Sequence, residues 1–349
     1  HMSKEFQGVM NDISSTLKTV YNADATIVVP GGGSYGMEAV ARQFANGESC
    51  LVVRNGWFSY RWSQILDAGR IAETTTVHKA RPVGEGSQQP FRPAPIEEVT
   101  ESIRSQKPGV VFAPHVETAA GLLLPDDYLK QVAETTHEVG GLFVLDCVAS
   151  GALWVDMKAI GADVLISAPQ KGWSASPCAA LVMLSQRGLE RLEATTSSSF
   201  ACDLKKWHGI MQAYEAGGHA YHATMPTDSL AQFRDAMLET VNDGLETTRE
   251  RQLELGRRVR AMFAEGGFTS VAAEGFEAPG VVVLFTQRDD LHKGSGFIAQ
   301  GLQTAAGVPL ACDEPDDYKT FRIGLFGLDK LRNIDRSVDY LRDALDALL

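Results

Sequence analysis

Continuous apolar runs alternate with amphipathic stretches through the first half of the chain. ATIVVP (25–30), SCLVVRNG (49–56), GVVFAPHVET (109–118), GLFVLDCVAS (141–150) and DVLISAPQ (163–170) lack the in–out alternation of a half-exposed strand. Such runs predict strands covered on both faces. Helical periodicity lies between several of them, as over 126–139, and a glycine turn at 31–33 opens a helix that Asn46-Gly47 closes. The pattern predicts an α/β fold, with a mainly parallel sheet sandwiched by helices. After about residue 235 the grammar changes. A long polar helix, roughly 235–266, reads as a connector, and GVVVLFT (280–286) and FRIGLF (321–326) read as strands of a smaller α+β domain. Ile334, Val338, Leu341 and Leu345 fall on one face of a terminal helix. The expected division is a large domain over 1–235 and a small C-terminal domain over 236–349.

Composition narrows the chemistry. The chain has 349 residues, 44% hydrophobic and 22% charged, which is long enough for a substantial core. A formal net charge of −12 argues against a nucleic-acid or anionic-membrane partner. The five cysteines (Cys50, Cys147, Cys178, Cys202, Cys312) are scattered without metal spacing, which points to a reducing, cytoplasmic setting and to no metal site. There is no apolar run of eighteen residues, so no membrane span is expected.

Three local features then suggest a site. The run VLISAPQKGW (164–173) carries a buried-looking strand into Lys171, followed by Gly172 and Trp173. A lysine after a strand commonly snorkels to solvent. One desolvated at a strand end has a depressed pKa and becomes an amine suited to a Schiff base. Asp146 closes the strand before it, and a helix-sized segment joins the two strands. It reads either as a turn-capping residue or as a carboxylate that keeps a pyridine nitrogen protonated. Gly31-Gly32-Gly33-Ser34 lies between a strand and a helix start, where free amides and the helix dipole favour a phosphate. Tyr35-Gly36 breaks the dinucleotide GxGxxG spacing. Sites in parallel sheets collect at the carboxyl ends of strands. Lysine, carboxylate and phosphate cradle together fit pyridoxal 5′-phosphate.

From about residue 20 onward the chain resembles the class V aminotransferases of pyridoxal-phosphate fold type I. It is most similar to the alanine–glyoxylate and serine–pyruvate aminotransferases. The most specific stretch is DCVASGALWVDMKAIGADVLISAPQKGWSASP, with its aspartate, its GADV and its lysine preceded by glutamine. The resemblance implies that Lys171 forms the Schiff base and shuttles protons. It implies that Asp146 pairs with the pyridine nitrogen and that Val148 packs beneath the ring. VVRNGWFSYRW supplies the stacking aromatic, Phe58 by the alignment and Trp57 as its competitor. HVETAAG supplies Thr118 for the phenolic oxygen, unless its hydroxyl is simply bonded to backbone. Gly32, Gly33, Ser34 and Gln170 would hold the phosphate, joined by Tyr221 and Thr224 of GGHAYHATMP from the neighbouring subunit of a homodimer. Arg322 of FRIGLFG would clamp the substrate carboxylate, unless it pairs with the acidic DEPDD (313–317) just before it. The family's N-terminal Pro-Gly-Pro turn is not found. Ala119-Ala120-Gly121 stands where relatives often carry Ser-Thr-Gly or Thr-Thr-Gly, and Ser34 where some carry histidine. These departures touch the substrate wall.

The activity implied is a ping-pong transfer of an amino group from an alanine- or serine-type donor to a glyoxylate- or pyruvate-type 2-oxo acid. Two other readings stand beside it. A desulfurase-like lyase of the same fold needs a nucleophilic cysteine on a mobile loop, and Cys312 lies only ten positions before Arg322, without a serine/glycine-rich loop. A non-catalytic protein of this fold would have no need of Lys171, Asp146 and Arg322 together.

Overall fold

The computed structural model describes residues 1–349. Its centre is a seven-stranded sheet built from β1 (Ala25–Pro30), β2 (Ser49–Arg54), β3 (Thr74–Lys79), β4 (Val110–Pro114), β5 (Leu142–Asp146), β6 (Val164–Ser167) and β7 (Ala179–Leu184). The spatial order is β1-β7-β6-β5-β4-β2-β3. β7 runs antiparallel to both of its neighbours, and the other pairings are parallel. β2, β4, β5, β6 and β7 are buried along nearly their whole length, as apolar runs covered by helices on both faces must be. The connection from β2 moves outward to β3, whereas β4 to β5 to β6 moves the other way. The order therefore reverses between β2 and β4, and a crevice opens at such a point beyond the strands' carboxyl ends.

The smaller C-terminal sheet has β8 (Val281–Phe285), β9 (Ala305–Ala306) and β10 (Thr320–Gly324), with β10 in the middle and antiparallel to both. The terminal helix Ile334–Leu348 buries Val338 and Leu345 against it, with Ile334 and Leu341 packed at the edge, as the spacing predicts. No helix is long and apolar enough to cross a membrane.

Three expectations need correction. The polar helix read over 235–266 is two helices, Thr227–Asn242 and Leu245–Glu265. Gly244 breaks it with φ +91°, a conformation that side chains disfavour. Trp154 Nε1 then donates to Leu245 O at the corner (3.2 Å). The strand read over 109–118 ends at Pro114, and Val116–Glu117 forms a separate ribbon with Leu122–Leu123. The helix-sized link between Asp146 and Lys171 holds only the four-residue helix Met157–Ile160. Much of the rest of that link is the loop that turns away from Asp146.

Candidate active site

Asp146 and the lysine loop lie side by side because β5 and β6 are parallel neighbours, with Asp146 opposite Ile166. Lys171 sits four residues past the end of β6. Gly172 explains how the lysine is presented. A Cβ there would lie 2.1 Å from Gly151 O, so only glycine lets the lysine loop touch the loop that follows Asp146. Trp173 is buried behind it in the core.

Lys171 has no carboxylate or hydrogen-bond partner in the chain. Its Nζ lies 5.2 Å from the centroid of the Phe326 ring. Burial lowers the lysine pKa, and the Arg322 guanidinium pushes the same way. This amine is half-buried and shifted toward its neutral, nucleophilic form. The Phe326 ring fits there because Gly151 and Gly280 leave room; Cβ atoms on them would lie 3.3 and 2.8 Å from it.

Asp146 is 8% exposed and has no cationic side chain bonded to it. Val148 N–H donates to its Oδ1 at 2.9 Å, so the turn-capping role is real. Burial nevertheless pushes its pKa up to about 6; the Val148 amide and Arg61 oppose this, and Glu117 adds to it. His115 supplies no compensating charge. Its ring is buried, bonded through Nδ1 to Ser150 Oγ at 2.7 Å, and kept neutral by a pKa pushed down to about 4 by burial.

Glu117 is fully buried and fully used. It accepts from Phe58 N (3.3 Å), Ser59 N (2.8 Å), Ser59 Oγ (2.7 Å) and Ala119 N (2.9 Å). Its carboxylate caps the helix Trp57–Gly69 and fixes Phe58 beside the turn that bears Thr118. Gly56 permits the approach, since a Cβ there would meet Glu117 Cγ at 2.7 Å. The Thr118 hydroxyl makes no bond to backbone, contrary to its bland reading.

Phe58 is shared by two guanidiniums, Arg322 at 5.6 Å and Arg61 at 5.3 Å from the ring centroid. Trp57 packs instead toward Tyr60 (5.6 Å), which favours Phe58 as the ring that faces the site. Arg322, on β10, donates Nε to Ala306 O of β9 at 2.8 Å. Its two terminal nitrogens make no bond within the chain. The acidic run before it is engaged elsewhere: Asp313 with Lys79 (2.6 Å), and Glu314 with the amides of residues 310–312. The expected alternative of an ion pair for Arg322 is therefore absent.

Gly32 caps the helix Gly33–Phe44 without a side-chain bond, and its first turn holds no acidic residue. The amides of Gly33 and Ser34 have no carbonyl partner. Val148 lies against Gly33, where a Cβ would meet its Cγ2 at 2.9 Å, so the cradle and the Asp146 loop share one wall. Gln170 carries a buried amide oxygen without a donor. Tyr221 (66% exposed) and Thr224 do not join this group; they border a separate cleft with Trp207 and Ile210. A cleft of about 760 Å³ near Trp154, Arg257 and Arg260 contains neither Asp146, Lys171 nor Arg322. Sequence reading missed three residues that structure adds: Glu117, Arg61 and Phe326. The quoted motifs include all three positions, but no local pattern marks their partners.

The description Aminotransferase class-V matches residues 1–293. The chain belongs to the class-V aminotransferases. It is 27% identical over 358 residues to an alanine–glyoxylate aminotransferase of Oryctolagus cuniculus, covering 99% of this chain and 86% of that one. It is 28% identical over 329 residues to a 2-aminoethylphosphonate–pyruvate transaminase of Paraburkholderia phymatum, covering 92% and 82%. The structure superposes on an alanine–glyoxylate aminotransferase from Nostoc sp. with a TM-score of 0.82 at 23% identity, over 99% of this chain and 88% of that one. This class-V aminotransferase has the α/β architecture of fold type I, and pyridoxal 5′-phosphate dependence is general in its family. The lyase reading loses its nucleophile as well. Cys312 is 4% exposed, its thiol is bonded to Arg54 O at 3.4 Å, and burial pushes its pKa up to about 12.

Proposed function

We propose that this class-V aminotransferase moves the amino group of an alanine- or serine-type amino acid to a glyoxylate- or pyruvate-type 2-oxo acid, with ping-pong kinetics, using pyridoxal 5′-phosphate at the Lys171 site. The observation that supports the cofactor is the pairing of an unpartnered, desolvated amine with a buried carboxylate that has no cation, at the ends of neighbouring strands. The residues fit the group. The uncapped helix end at Gly32, Gly33 and Ser34, with Gln170, suits its phosphate. Phe58 and Val148 suit the two faces of its ring, and the free Thr118 hydroxyl suits its phenolic oxygen. When bound, the cofactor supplies an electron sink for the substrate's α-carbon. Asp146 holds a proton on the ring nitrogen, because a carboxylate buried without a counter-charge gains most from a cationic neighbour. Lys171 would anchor the cofactor through its amine and would carry the substrate's α-proton, a task suited to a lysine whose pKa is lowered. Phe326 holds that amine at the site, and Glu117 holds Phe58.

Substrate choice rests on Arg322. A planar fork with one nitrogen fixed to Ala306 O and two free is preorganised for a carboxylate. Arg322→Lys keeps the charge and loses the fork, so kcat/KM for an amino acid should fall roughly ten- to hundredfold. The corresponding decarboxylated amine, assayed beside it, should lose little. Equal losses on both substrates would return Arg322 to a structural role.

We also propose the division into a large domain, 1–235, and a small one, 236–349, and a homodimer in which Tyr221 and Thr224 reach the partner's phosphate site. Their outward placement on the chain supports this. Dilution should then release cofactor, and added cofactor should favour the dimer. Sedimentation across a concentration series decides it: a monomer that holds cofactor as tightly as the dimer rules the shared site out. Five unpaired cysteines suit a cytoplasmic setting.

A further inference from the structure

Arg61 is a cation without a carboxylate partner in a chain of net charge −12. It lies one turn after Phe58 on the helix Trp57–Gly69, with its guanidinium over that ring at 5.3 Å. Its Nη1 donates to Ser34 Oγ at 2.9 Å. Asp146 also senses its charge. Two residues read as cofactor contacts, Phe58 and Ser34, thus meet one arginine to which no role has been given.

The bond to Ser34 has a direction. Arginine has only donors, so Ser34 Oγ must accept. The hydroxyl proton of Ser34 then points away from Arg61, and no group in the chain accepts it. Beside it stand the free amides of Gly33 and Ser34 at the start of the helix Gly33–Phe44. We propose that Arg61 is a positioning residue of the anion cradle: it fixes the Ser34 hydroxyl as a donor toward a phosphate monoester and makes the site select phosphorylated over unphosphorylated pyridoxal. The charge on Arg61 polarises that hydroxyl and strengthens its bond to an anion. Placement at the helix start adds to the favourable dipole. Ser34 is a short side chain with a rotating hydroxyl and cannot orient itself; Arg61 supplies the orientation. The inference rests on the pyridoxal 5′-phosphate reading of the site.

The test uses the full-length chain, stripped and reconstituted with pyridoxal 5′-phosphate or with pyridoxal, and binding followed by equilibrium dialysis. Arg61→Met should weaken the phosphorylated ligand roughly ten- to hundredfold and leave pyridoxal within about twofold. Arg61→Lys should recover part of the loss. In a Ser34→Ala background, Arg61→Met should cost little more, since its route is already removed. Equal weakening of both ligands would make Arg61 a structural residue and overturn the proposal. So would an undiminished loss in the Ser34→Ala background, or no loss of phosphate affinity with a raised KM for doubly anionic donors. The parent protein separates this from the underlying reading. If neither ligand forms a borohydride-trapped adduct on Lys171 in the parent, the cofactor reading itself falls. If both do and Arg61→Met changes nothing, only the role of Arg61 falls.

Discussion

Lys171→Ala should lower transamination by at least about 10³-fold, because in the proposed site one amine would provide both the covalent anchor and the proton carrier. The fold should survive. The Lys171 side chain is half-buried in a loop, makes no hydrogen bond or ion pair, and lies against the Phe326 ring. Its removal leaves no buried charge behind, which is the usual reason that loss of a buried lysine partner destabilises a protein. The thermal transition should therefore stay close to the parent's, while the visible absorbance of a lysine-bound cofactor disappears. Steady-state turnover and circular dichroism on the same preparation check both halves. A variant that keeps near-parent turnover, or one that fails to fold, contradicts the role assigned to the lysine.

Asp146→Asn should make the cofactor-free protein more stable and the enzyme nearly inactive. A carboxyl held at about 6 instead of 3.8 by burial costs the fold on the order of 3 kcal/mol once it ionises. The sign follows from the raised value. Below about pH 4 the carboxyl is neutral in the folded and unfolded states, and the variant gains nothing. As pH rises from about 4 to 6 the unfolded chain ionises first, so the parent loses stability. Above about 6 the full difference is present. Asn keeps an oxygen to accept from Val148 N, so the turn is retained. Catalysis should fall by at least roughly 10²-fold, because a neutral amide cannot hold a proton on a ring nitrogen. Urea unfolding of parent and variant at pH 4, 6 and 8, with turnover at pH 8, measures both. A variant that is less stable at pH 8, or as active as the parent, would remove Asp146 from the cofactor and leave it only the turn. Stability withheld at a functional site in this way is a general trade-off.

The parts of this site that were legible in the sequence are those set by strand ends. Asp146 and Lys171 follow apolar runs that read as buried strands, and parallel neighbours deliver their carboxyl ends to one edge. The glycine turn at 31–33 announced itself because glycine before a helix leaves amides free. Arg61 was not legible. It lies inside the quoted VVRNGWFSYRW, but its partner Ser34 is 27 positions earlier in the chain, and no periodicity links them. Phe326 likewise reads as an ordinary strand-end aromatic until Gly151 and Gly280 are seen to make room for it. The break at Gly244 was missed for a different reason. Polar helical pattern continues on both sides of it, and one glycine inside such a pattern is as often tolerated as obeyed. The early end of β4 has the same character: Pro114 removes a ladder donor, yet His115, Val116, Glu117 and Thr118 follow it with no glycine or second proline to mark the break.

The most direct test of the Lys171 site is chemical trapping. The purified enzyme is reduced with borohydride, digested, and its peptides are weighed. A phosphopyridoxyl group should be found on the peptide that carries Lys171 and on no other lysine, and prior incubation with an amino-acid donor should diminish it. A modified lysine elsewhere in the chain, or an unmodified Lys171 in protein that still transaminates, would contradict the account.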